Sequence, residues 1–114
     1  MTDEEAIALG KRVVACKGFR PMRGMLDMQC RTWDSSLLWR WHNEVDVPDF
    51  RDAATLGCLL ALVREAWGDL GMFVRPRGSK MRPDWAVFTG ANSDIVCAAL
   101  SEAEALVAAL EAAP

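Results

Sequence analysis

The stretch DAATLGCLLALVREAWGD, residues 52–69, decides how the rest of the chain is read. Leu56, Leu59, Leu60, Val63 and Trp67 fall at i, i+3, i+4, i+7 and i+11, the spacing of one apolar helix face. Asp52 stands where a carboxylate can accept from the free amides of the first helical turn. Gly68-Asp69 ends the run, since glycine takes up the left-handed conformation of a helix stop. A helix over 52–67 therefore separates two halves of the chain.

Working towards the N-terminus, Val45 to Phe50 contains Pro48 and reads as a connector. Before it, Leu37, Trp39 and Trp41 alternate with Leu38, Arg40 and His42. Residues 24 to 32 alternate in the same way, with Leu26, Met28, Cys30 and Thr32 opposite Met25, Asp27, Gln29 and Arg31. That is the period of half-buried strands. With Asp34-Ser35-Ser36 as the turn, the two form an expected hairpin. Residues 3 to 17 read as a helix opened by a capping box of Thr2 and Glu5, with Ala6, Leu9, Val13 and Cys16 as its stripe. Gly10 within it costs about 1 kcal/mol relative to alanine, so it marks a place where a neighbouring element comes close.

Working towards the C-terminus, Met72–Arg75 and Asp84–Thr89 read as strands joined by the loop 76–83. A turn over Gly90–Asp94 leads to a short fifth strand over Ile95–Ala98. Ser101 and Glu104 form a second capping box, opening a final helix with Leu106, Val107 and Leu110 on its inner face. The expectation is a single α+β domain over residues 1–114, with an antiparallel sheet of four to five strands and three helices in the order α-β-β-α-β-β-(β)-α. Short turns between strands favour antiparallel pairing, with helices covering one face.

Hydrophobic residues make up 52% of the 114, enough for a core without disulfides or metals. The longest nearly apolar run, Leu56 to Val63, is far short of the ~20 residues of a membrane span. The acidic start Thr2-Asp3-Glu4-Glu5 is unlike a secretory leader. No membrane association is expected, and the expected compartment is a cytoplasm.

Reactive chemistry is thinly represented. Cys16, Cys30, Cys58 and Cys97 form no C-x-x-C pair and read as free thiols packed as small hydrophobes. His42 is the only histidine. A Cys30–His42 pair across the first hairpin is the one nucleophile arrangement on offer, and Asp84 the one candidate nuclease carboxylate. Neither comes with the partners that its chemistry needs. There is no phosphate-binding glycine loop, and no metal or cofactor site is expected. The reading leans away from an enzyme, with a small nuclease or Cys-dependent enzyme kept as the third alternative.

Charge is more informative. Of 13 basic residues, ten lie in two windows: Lys11, Arg12, Lys17, Arg20, Arg23 and Arg31, then Arg75, Arg77, Lys80 and Arg82. If the windows meet, they make a basic edge that attracts phosphates or an acidic protein surface. Five tryptophans accompany them; Trp67 is expected in the core. Tryptophan beside arginine, as at Arg40-Trp41, suits a protein interface or a base-stacking platform. The expected partner-binding residues are Arg20, Arg23, Arg40, Trp41, Arg75, Arg77, Lys80 and Arg82.

Three stretches carry a resemblance. The segment Asp52 to Asp69, the closing Glu102 to Ala113 and the opening Leu9 to Phe19 with Met22 to Met25 resemble small accessory proteins of tailed bacteriophages and prophages. The resemblance covers about half the chain and attaches no function or site residue. It implies a phage gene product acting in a bacterial host cytoplasm. On that footing the expected function is a binding protein that inhibits a host protein, such as a defence target in the anti-CRISPR manner, by covering a surface without catalysis. The alternative is a nucleic-acid-binding accessory protein using segments 11–31 and 75–82. The net charge of −3 counts against it. A homodimer through an uncovered sheet surface is compatible with either.

Overall fold

A computed structural model of the chain describes residues 1–32, 47–78 and 84–114. Among them the elements are α1 (Asp3–Val14), α2 (Ala53–Trp67), β1 (Phe73–Arg77), β2 (Asp84–Phe88), β3 (Ile95–Ala99) and α3 (Glu102–Glu111). The fold is α+β, with three helices and a three-stranded antiparallel sheet of order β1-β2-β3.

The helix starts are fixed by local chemistry. The Thr2 hydroxyl accepts from the Glu5 amide while the Glu5 carboxylate accepts from the Thr2 amide, the full capping box. Asp52 accepts from the Thr55 amide and hydroxyl, and the same buried hydroxyl accepts from the Leu26 amide at 2.8 Å. Ser101 accepts from the Glu104 amide. α2 stops at Gly68, whose φ of +64° is the left-handed conformation.

α3 is the hub. It contacts all three strands and both other helices. Ala103, Ala105, Leu106, Val107, Ala109 and Leu110 are all buried, so the helix is covered on more than one side. Its alanines let the neighbours approach closely, and Leu59, Leu62, Val63, Val13, Met25, Met72 and Val87 close the core around it. The Trp67 indole N–H donates to the Ala109 carbonyl at 2.8 Å, so this half-buried tryptophan is part of the packing that joins α2 to α3. The expected close approach at Gly10 is present: a Cβ there would lie 2.6 Å from Val47 Cγ2.

The sequence expectation of four to five strands, in the order α-β-β-α-β-β-(β)-α, is not matched by the described residues. Residues 24–32 are a tight loop rather than a strand. Asp27 is fully buried, and its carboxylate accepts from the Gln29 and Arg31 amides and from the Arg31 guanidinium. Those bonds bend the chain back on itself, with Cys30 at φ +61° and only isolated bridges at Leu26–Thr32 and Asp27–Pro48. Local side-chain capping overrides the two-residue alternation. The expected strand 37–42 lies outside the described residues. α1 also ends three residues before the expected Lys17. No helix among the described residues is long and apolar enough to cross a membrane.

Candidate functional site

Alternation along the strands gives the sheet two faces. Val74, Trp85, Val87, Cys97 and Ala99 face α3 and the core. Phe73, Arg75 and Arg77 of β1, Asp84, Ala86 and Phe88 of β2, and Ala98 of β3 face the other way. A register shift after Val87 sets Ile95 opposite Phe88 on that outer face.

The register assembles a small cationic platform there. Phe73 and Phe88 are direct cross-strand partners, their rings stacked at 5.1 Å with 12° between planes. The Arg75 guanidinium carbon lies 4.6 Å from the Phe88 centroid and 5.7 Å from that of Phe73. With the cation itself exposed to water, a contact of this kind contributes about 0.5–1 kcal/mol. No carboxylate among the described residues pairs with Arg75. Next along β1, Arg77 pairs with its cross-strand partner Asp84 at 2.9 Å, and that pairing holds the Asp84 carboxyl below the usual carboxylate range.

The centre of this face is covered, with Ala86 and Phe88 at 0% and 4% exposure. Its margins are open. Arg75, Pro76 and Arg77 are exposed on the β1 side, and Ile95, Ala98 and Leu100 on the β3 side.

Among the described residues, three arginines of the first basic window are held in ion pairs. Arg12 closes on Glu111 of α3, Arg20 on Glu65 of α2, and Arg31 on Asp27. Those partners lie on helices or in the loop, while Arg75 and Arg77 occupy the sheet's far face. Arg23 is exposed and has no ion pair among the described residues. Arg40, Trp41, Lys80 and Arg82 lie outside the described residues, as does His42 of the expected Cys30–His42 pair, while Cys30 is exposed. The structure thus brings Arg75 and Arg77 together and sets Arg20 apart. Phe73 and Phe88, which hold Arg75, went unnoticed in the sequence because only the strand register makes them neighbours.

A groove of about 630 Å³ lies between the C-terminal ends of α1 and α3, lined by Arg12, Cys16, Lys17, Ala66, Leu110 and Glu111 among others. Burial pushes the Cys16 thiol above its ordinary value, aided by the Glu111 charge, and the thiol donates to the Arg12 carbonyl. A protonated thiol beside an arginine already satisfied by Glu111 is a poor nucleophile. Burial raises the Cys58 and Cys97 thiols as well. Among the described residues no three His, Cys, Asp or Glu side chains gather as metal ligands would.

The fold is that of a small α+β domain, and among the described residues the Arg75–Arg77 cluster lies on an open margin of its sheet. Compared with known proteins, the chain matches no family model, no curated protein and no solved structure.

Proposed function

We propose that this chain is a non-catalytic binding protein that docks on a protein partner through the β1 margin of its sheet, with Arg75 as the anchor. The observation that carries this is Arg75 itself: a guanidinium held over two stacked rings, with no carboxylate partner among the described residues. Arginine and aromatic residues dominate the energetics of protein interfaces, and a pre-ordered side chain loses little entropy on docking. The target class, a host protein such as a defence component inhibited by surface occlusion in a bacterial cytoplasm, rests on the resemblance to phage accessory proteins.

Nucleic-acid binding is less well supported. Phosphate tracking needs several free cations, and the ion pairs of Arg12, Arg20, Arg31 and Arg77 draw on the same residues.

The test is affinity capture from a bacterial host with quantitative mass spectrometry, run on the natural chain and on Arg75→Ala. The expected result is one protein retained about 30-fold less well by the variant, the change that about 2 kcal/mol represents. Plaque formation on a host carrying the matching defence system should rise with the natural chain and not with Arg75→Ala. Tight binding of mixed-sequence DNA or RNA that collapses as salt is raised would replace this reading with the nucleic-acid one.

A further inference from the structure

The two edges of the sheet are unlike. β1 carries Pro76 between Arg75 and Arg77, all three exposed. Proline lacks a backbone donor, and charged side chains resist a second sheet, so this edge is blocked. β3 and the Leu100 that follows it make six residues without a charge or a proline. Among the described residues none hydrogen-bonds to β3 on the side away from β2. Ile95 and Leu100 are 49% and 80% exposed, two of the four large apolar side chains in that condition among the described residues. Unpaired amides and carbonyls beside bare aliphatic groups are a template for another strand.

We propose that β3 pairs with β3 of a second copy of this chain, antiparallel about a two-fold axis near Cys97–Ala98. Closure selects a second copy over a foreign strand. Among the described strands the joined sheet runs β1-β2-β3-β3-β2-β1, so both of its outer edges are the proline-bearing β1 and assembly stops at two. A foreign strand leaves a fresh open edge. The strand is also self-complementary. Antiparallel pairing sets Leu100 of each copy beside the Ile95–Val96 end of the other, and each apolar contact is made twice.

Charge sets the strength of this contact. Asp94 precedes the strand and Glu102 follows it, and the axis brings Asp94 of one copy towards Glu102 of the other. These like charges oppose pairing until salt screens them. One short strand pair buries less than the about 1,200 Å² of stable interfaces, so the dimer is weak and concentration-dependent.

Sedimentation velocity on the full chain, over a range of concentrations at low and high salt, reads this directly. The mass should climb from 12.6 kDa towards twice that value, and further at high salt. Ala98→Lys, which adds two charges at the axis, should melt like the natural chain and stay monomeric. Arg75→Ala should dimerise normally. In a Cys30→Ser background, Ala98→Cys should form a disulfide-linked dimer under mild oxidation. A natural chain monomeric under every condition, a dimer weakened by salt, or one untouched by Ala98→Lys would overturn the proposal.

Discussion

At Gly10 two effects of similar size oppose each other. Alanine would gain about 1 kcal/mol in helix propensity. Its Cβ, however, would lie 2.8 Å from the Pro48 carbonyl oxygen as well as against Val47, and a backbone oxygen yields little. Overpacking of this kind costs about 1–3 kcal/mol. Gly10→Ala should therefore destabilise the chain by about 1 kcal/mol in urea unfolding, and a more stable variant would show that the loop gives way. Thiol reactivity is also decided residue by residue. Cys30 is exposed, while Cys16, Cys58 and Cys97 are half-buried with thiols raised by desolvation. Iodoacetamide at neutral pH should label Cys30 first, as peptide mapping would show. At this scale the sequence was a partial guide. The glycine signal was legible, because a helix-breaking residue in a helical run needs a reason. The fate of the arginines was not, because Arg12 finds Glu111 at a separation of 99 residues and Arg20 finds Glu65 at 45.

At the scale of elements, the helices and the last three strands were readable because their signals are local: caps, period and turn residues. The loop at 24–32 was not. Its alternation is that of a strand, and only the burial of the Asp27 carboxylate reveals that side-chain hydrogen bonds close the backbone there. The cationic platform was half legible for a related reason. Arg75 and Arg77 stood out by charge, but the rings that hold Arg75 depend on a register set by pairing. Asp69 shows how elements are tied. Its two carboxylate oxygens accept separately from the Gly71 and Gly90 amides, linking the end of α2 to the turn before β3. Asp69→Ala should leave the helices intact and speed hydrogen exchange at those two amides by an order of magnitude or more, since each then lacks its acceptor. Unchanged exchange would mean that the close contact between Gly71 and Gly90 suffices.

The whole molecule answers to acid through its ion pairs. Asp49 is raised by desolvation, yet hydrogen bonds from Arg51 outweigh this and hold it below the ordinary carboxylate range. Glu65 is lowered by Arg20, and Asp84 by Arg77. A carboxyl depressed in the folded state contributes stability above its unfolded pKa of about 4, and loses it as pH falls through the folded value. The melting temperature should hold steady near neutrality and drop progressively below about pH 4. The drop should be shallower in Asp49→Asn, which has already lost one such contribution. A final consequence comes from α3. Every other described element is translated before it, yet all of them pack against it. A chain emerging from the ribosome therefore has no centre to condense on until residues 102–111 are free of the exit tunnel. Until then the apolar faces that the earlier helices and strands turn towards it stay uncovered, which favours late and cooperative folding.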